Sequence, residues 1–322
     1  MRVLVTGANG FVGRALCEAL VQTRELSGAV RRVAEGPFIE GLRLVPGVLL
    51  VDFDWSKALE EVTSVVHCAA RVHIIDESSA DPLADFRRVN VDGTLRLARE
   101  AAAAGVKRFV FLSSIKVNGE QTRSAEPFTA DQPPNPTSPY GISKMEAEAG
   151  LRALACESGM EVVIIRPPLV YGPGVKANFL AMMRALAKGI PLPLASVTAN
   201  RRSLVALDNL VDLIVTCLDH PAALNQTFLV SDAESLSTTA LLQRMAKALG
   251  RPARLIAVPV SLLKLGASLL GKPDVAQRLC GSLAVDISKT QELLDWVPPL
   301  SVDEGLRRTA AHWIESQHAT RS

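Results

Sequence analysis

Short β-rich runs alternate along the first half of the chain with longer segments in which apolar residues return every three or four positions. The runs fall at 3–6, 29–33, 48–52, 64–68, 108–113 and 162–166, and each reads as a strand. Helical patterns cover 11–23, 56–61, 82–104 and 139–158. In the first of them Val12, Ala15, Leu16, Ala19 and Leu20 share one face. This alternation predicts an α/β fold built on a doubly wound parallel sheet. Pro167-Pro168 and Gly172-Pro173-Gly174 break the rhythm and mark a crossing into a second lobe. Beyond them 203–207 reads as a strand, and 208–219, 238–249 and 302–315 read as helices. No internal repeat or low-complexity tract interrupts the pattern.

The first strand runs directly into Gly7-Ala8-Asn9-Gly10-Phe11-Val12-Gly13, and a helix follows at once. Strand, glycine turn and helix in that order form a phosphate cradle. Gly7 permits the tight turn, Gly10 lets the backbone approach a pyrophosphate, and Gly13 allows close helix–strand packing. The helix N-terminus then offers N–H groups and a favourable dipole to the phosphates.

A second constellation carries acid/base chemistry. Lys144 follows Tyr140 at i+4, on the same face of the predicted helix, and Ser114 precedes that pair by 26 residues. A free phenol titrates near 10, too high for ready proton exchange at neutral pH. A neighbouring ammonium favours the phenolate and is expected to lower that value. A serine hydroxyl reaching the same substrate oxygen adds a hydrogen bond as charge develops there. Together the three fit a carbonyl/alcohol couple.

Composition narrows the class. The 322 residues are 48% apolar and 21% charged, enough for a full α/β core with a second lobe. A formal net charge of +2 gives no reason to expect nucleic acid; Arg31-Arg32 and Arg201-Arg202 are pairs, not tracts. The five cysteines lack a C-x-x-C pair, which argues against a zinc site or a disulfide framework; no metal is expected. The first strand starts too early to leave room for a leader, so a cytoplasmic protein is expected. The most apolar stretch, 255–270, is broken by Pro259, Lys264 and Gly266 and falls short of a membrane span. Val260, Leu263, Ala267 and Leu270 could share a stripe there, favouring core or a lid over the substrate ahead of lipid contact.

The motifs TGANGFVG (6–13), HCAA (67–70), VNVDGT (89–94), FLSS (111–114), YGISK (140–144) and RPPLVYGPG (166–174) occur in this order. In this the chain resembles the extended short-chain dehydrogenase/reductases, in the NAD-dependent epimerase/dehydratase branch. The resemblance implies a Rossmann dinucleotide-binding domain at 1–170, with 203–235 returning to it, and a substrate-binding lobe formed mainly by 171–322. It also implies a homodimer. By motif, Ser114, Tyr140 and Lys144 are the catalytic set; Tyr140 and Lys144 would also contact the cofactor, Lys144 at the nicotinamide ribose. Gly7, Gly10, Phe11, Val12 and Gly13 would hold the pyrophosphate. Asp52 and Phe53 would meet adenine, Ala69 and Ala70 would line the nicotinamide side, and Pro167 and Val170 would complete the cofactor wall. Asn90 matches a supporting asparagine.

The end of the second strand bears on the cofactor. An acidic residue there would bind the ribose hydroxyls and favour NAD. Arg31 and Arg32 instead offer partners for a 2′-phosphate, favouring NADP(H), with NAD(H) the alternative if they are merely solvated. Within the resemblance, sugar 4,6-dehydratases carry an acid just after the serine, whereas this chain has Ile115-Lys116. Lys116 either touches substrate or is simply exposed. Asn118 stands where the family commonly has tyrosine. SSIKVNGE with PYGISKMEAE resembles bacterial UDP-sugar 4-keto reductases of the UDP-N-acetylquinovosamine type, often labelled UDP-glucose 4-epimerase. The resemblance also nominates Asn178, Arg202 and Arg278 for a nucleotide-sugar diphosphate, each with a surface role as the alternative. A UDP-sugar 4-reductase is the expected activity; a 4-epimerase with retained NAD and a non-catalytic dinucleotide sensor are the alternatives.

Overall fold

Parallel pairing organises the larger of two sheets. The computed structural model describes residues 1–32, 39–50, 52–72, 81–123 and 126–319. Ten strands occur in them: β1 (Arg2–Thr6), β2 (Glu25–Val30), β3 (Arg43–Pro46), β4 (Ser64–His67), β5 (Arg108–Leu112), β6 (Glu161–Arg166), β7 (Leu169–Tyr171), β8 (Arg202–Ala206), β9 (Thr227–Leu229) and β10 (Ser235–Leu236). The larger sheet has the order β3-β2-β1-β4-β5-β6-β9, with every pair parallel. Chain order reverses between β1 and β4, the switch point at which such sheets open a ligand crevice. In the small sheet, β8 lies parallel to β7 and antiparallel to β10.

Strand alternation sorts the core into two layers. Val3, Val5, Val66, Val110, Val163 and Ile165 face the helices Phe11–Leu20 and Leu207–Asp219. Leu4, Val65, Phe109, Phe111, Val162 and Ile164 face Thr94–Ala103 and Pro139–Ser158. Burial on both faces explains why these strands read as apolar runs. A third cluster fills the second lobe around Tyr171, Phe179, Met183, Leu204 and Leu242.

Three expectations are corrected. The second strand lies at Glu25–Val30, not at 29–33: 31–32 carry no strand and 33 lies outside the described residues. Its Ser27-Gly28-Ala29 centre has little intrinsic β preference, yet a side chain at Gly28 would meet the Ala8 Cβ at 2.8 Å. Close packing selects small residues there and hides the strand. The third strand is Arg43–Pro46, fixed by pairing Leu44 with Gly28; 48–50 carry no strand and 51 lies outside the described residues. The segment 82–104 is not one uniform helix: Pro82–Arg87 and Thr94–Ala103 flank a π-helical turn at Arg88–Gly93. The widened turn holds a buried Asn90, a use to which such turns are often put at functional sites. Other predicted elements agree within a few residues.

Candidate active site

The carboxyl ends of β1, β4, β5 and β6 bring the sequence motifs to one edge of the sheet. After β1, Gly7 adopts φ +67 and Gly10 precedes the helix Phe11–Leu20. A Cβ on Gly13 would lie 2.2 Å from the Gly7 carbonyl oxygen, so only glycine lets the helix sit this close to the strand end. That helix has no side-chain cap and no acidic residue in its first turn. Its exposed N–H ends therefore suit an anion, and the cradle fits the pyrophosphate of a dinucleotide.

Across the switch point, His67 ties β1 to β4. Its Nδ1 is 2.7 Å from Thr6 Oγ1 and its Nε2 is 2.9 Å from Thr94 Oγ1. Burial, helped by the Lys144 charge, pushes the imidazole down to about 3, so it stays neutral at physiological pH. Thr6 Oγ1 also accepts the Ala69 N–H at 3.2 Å, holding the Ala69-Ala70 loop against the glycine turn.

Ser114 follows β5 and caps a single 3₁₀ turn, its Oγ accepting from the Lys116 N–H at 3.3 Å. The helix Pro139–Ser158 starts beside it, with Ser138 as N-cap. Tyr140 and Ser114 are hydrogen-bonded through their side chains, and the Tyr140 ring meets Phe86 edge-on at 6.0 Å. One turn further on, Lys144 is 1% exposed, with Nζ 3.9 Å from the centroid of the Phe111 ring. Ser114 and Tyr140 thus meet, and Lys144 lies one helical turn from Tyr140.

Their electrostatics differ from the sequence expectation. Burial pushes the Tyr140 phenol up to about 12, with the Ser114 hydrogen bond only partly opposing it. Burial likewise lowers Lys144 to about 7, against the favourable charge of Glu148. Desolvation dominates both groups, so Lys144 does not pull the phenol below its ordinary value here. What the arrangement provides is a neutral phenol, able to donate a proton, beside an amine poised between its two charge states.

Sequence reasoning missed the support behind this triad. Glu148 continues the Tyr140–Lys144 series by another four residues and is fully buried. It accepts from Ser113 Oγ at 2.5 Å and from both Nε (2.9 Å) and an Nη (2.6 Å) of Arg166. Arg166 also donates to Asn118 Oδ1 at 2.9 Å, and Asn118 in turn donates to the Thr129 carbonyl. Asn118 therefore has a structural task in place of the family tyrosine. Such a pair is tolerable only because hydrogen bonds saturate both ions. The i, i+4, i+8 spacing of Tyr140, Lys144 and Glu148 was the available signal. Asn90 is a second support: it accepts the Arg71 N–H at 2.8 Å and donates to the Arg71 carbonyl and to Ser143 Oγ. It thereby clamps the loop after Ala70 to the catalytic helix.

The remaining nominated residues are more dispersed. Arg31 and Arg32 are exposed just past the end of β2 instead of lying within it. Asp52 is exposed, whereas Phe53 packs edge-on against Trp55 at 4.9 Å. Pro167 is buried, and its carbonyl accepts from Ile115 N; Val170 is half-buried in β7. At the rim Lys116 pairs with Glu120 at 3.2 Å, and Glu120 accepts from the capping Ser138. Asn178 is exposed in the first turn of the helix Ala177–Ala187. Arg202 opens β8 and donates to the Gly281 carbonyl at 3.2 Å; burial lowers its pKa. Arg278 is exposed on the helix Pro273–Cys280.

A phosphate cradle at the switch point, with a Ser-Tyr-Lys set at the neighbouring strand end, defines a dinucleotide-dependent enzyme of carbonyl/alcohol chemistry. The pattern of the NAD dependent epimerase/dehydratase family matches residues 3–230, and the chain belongs to that family. It is 48% identical over 318 residues to a UDP-glucose 4-epimerase of Vibrio cholerae, covering 98% of this chain and 96% of the relative. A short-chain dehydrogenase/reductase superfamily protein from Agrobacterium tumefaciens, solved with bound NAD, is 26% identical with a TM-score of 0.77, covering 100% and 99% of the two chains. The UDP-glucuronic acid 4-epimerase of Bacillus cereus shares the fold at 21% identity and a TM-score of 0.77, covering 97% and 96%.

Proposed function

We propose that the protein is an NADP(H)-dependent nucleotide-sugar oxidoreductase that reduces the C4 ketone of a UDP-4-keto-6-deoxy-N-acetylhexosamine, supplying a UDP-6-deoxy sugar for surface polysaccharide. When bound, the nicotinamide supplies the hydride. Tyr140 donates its phenolic proton to the oxygen of the forming alcohol, and Ser114 orients that oxygen through its hydroxyl. Lys144, one turn beyond Tyr140 on the same helix face, carries a charge that changes near neutrality and stabilises the phenolate left behind. Its ammonium would also hold the nicotinamide ribose.

The observation that carries the reading is the pairing of this triad with Ile115-Lys116. No acid follows Ser114, so proton removal for dehydration has no residue there, while reduction needs none. Arg31 and Arg32, exposed beyond β2, support NADP(H), the usual cellular reductant. Gly7, Gly10 and Gly13 would take the pyrophosphate, and Asn178, Arg202 and Arg278 are the candidates for the UDP diphosphate.

A second reading, UDP-sugar 4-epimerisation with retained NAD, is favoured by the Vibrio cholerae relative. Incubating the enzyme with the 4-keto sugar and NADPH separates the two. Reduction consumes one cofactor per product; turnover of UDP-sugars with no net change in cofactor would support epimerisation and overturn the reductase assignment.

A further inference from the structure

The segment 255–270, expected as core or lid, is neither fully covered nor polar. Its helix Val260–Leu269 contains no buried residue. Val260 and Leu263 lean on the second-lobe cluster, but Leu262, Leu265 and Leu269 are 55%, 56% and 80% exposed. Those three recur at i, i+3 and i+7, which places them along one outward face. Leu270 (77%), Ile256 and Val275 extend the apolar surface to either side. A helix apolar on both its inner and outer faces is unusual next to water and marks an interaction surface.

Charge narrows the occupant. Residues 251–278 carry five cations, Arg251, Arg254, Lys264, Lys272 and Arg278, against the single carboxylate of Asp274, a surplus of four in a chain whose net charge is +2. All five cations are exposed, and none forms an ion pair among the described residues. A second copy of the chain meeting this face symmetrically would bring two such surpluses together, which opposes self-association. The exposed side chains are all aliphatic, without the Trp, Tyr or Arg-filled pockets that anchor protein interfaces. Aliphatic residues flanked by free cations instead complement a surface with an apolar interior and anionic headgroups. The helix is about 15 Å long, half of a bilayer core, so it would lie in the interface, not cross it. Among the described residues no helix is long and apolar enough to span.

We infer that the 256–275 hairpin docks the enzyme on an anionic membrane surface. Leu262, Leu265, Leu269 and Leu270 enter the headgroup boundary while Lys264 and Lys272 meet anionic lipids. The catalytic residues Ser114, Tyr140 and Lys144 take no part in that contact, so docking and chemistry are separable.

The test is co-sedimentation of the full chain with vesicles of phosphatidylglycerol and phosphatidylethanolamine, compared with pure phosphatidylcholine. Wild type is expected to sediment with the anionic vesicles alone, and less as salt is raised. L265E/L269E, altered only at exposed positions, should lose at least about tenfold in partitioning. K264Q/K272Q should lose about fivefold for each cation and guards against a folding defect in the first variant. Thermal melting and turnover of soluble substrate should be unchanged in both. Failure of wild type to bind anionic vesicles, or binding by both variants as strong as that of wild type, would overturn the inference. So would a dimer in light scattering that L265E/L269E dissociates, since that would assign the face to a second copy.

Discussion

Replacing Lys144 with Met should make the protein more stable while abolishing turnover. The lysine is 1% exposed, and burial lowers it from 10.5 to about 7. Its ammonium is therefore favoured more in the unfolded chain than in the fold. The resulting penalty is largest below pH 7, falls as pH rises from 7 to 10.5, and vanishes above that, where the amine is neutral in both states. At about 1.36 kcal/mol per pH unit, the penalty is about 4 kcal/mol at pH 7 and about 2 kcal/mol at pH 9. Met has a similar length and no charge, so it should recover much of this without overpacking. Guanidinium unfolding of cofactor-free wild type and Lys144→Met across pH 7–9.5 measures the gap, and other titrating groups largely cancel in the difference. A gap that narrows by about tenfold in equilibrium constant per pH unit is expected. A variant no more stable than wild type at pH 7, or a gap flat with pH, would refute the burial cost.

Three further outcomes follow from the site. Tyr140→Phe should lower kcat by about 10²–10⁴-fold with NADPH affinity nearly unchanged, since it removes only the proton donor; single-turnover kinetics with fluorescence titration check both. Arg31→Ala with Arg32→Ala should weaken NADPH by at least about tenfold and leave NADH alone, because charge-assisted phosphate contacts contribute about 1.5–3 kcal/mol each; equal losses for the two cofactors would mean the pair binds no phosphate. Gly13→Ala forces a Cβ to within 2.2 Å of the Gly7 carbonyl, so calorimetry should show weakened binding of both cofactors and a fold destabilised by about 1–3 kcal/mol.

The sequence was most readable where one signal met one physical cause. Apolar runs at β1, β4, β5 and β6 reflect burial on both faces, and the glycine turn reflects backbone contact that no side chain could share. β2 escaped because packing against Ala8 and Leu42 demands small residues, which carry no strand signature. The π turn at Arg88–Gly93 leaves the helical periodicity of its segment almost intact, and only the burial of Asn90 reveals its purpose. The spacing of Ser114, Tyr140 and Lys144 was legible, but the direction of the Tyr140 and Lys144 pKa shifts was not. Spacing reports which side chains can meet; it does not report how little water reaches them. Glu148 and Arg166 escaped for a related reason, since each looks like an ordinary surface charge until the fold buries them against each other.

The most direct test of the proposed chemistry follows the hydride itself. NADPH deuterated at the transferable position, incubated with the UDP-4-keto-6-deoxy-N-acetylhexosamine, should place one deuterium at C4 of the product for each cofactor oxidised, as read by NMR and mass spectrometry. Product formed without deuterium, or turnover without oxidation of NADPH, would contradict reduction as the reaction of this enzyme.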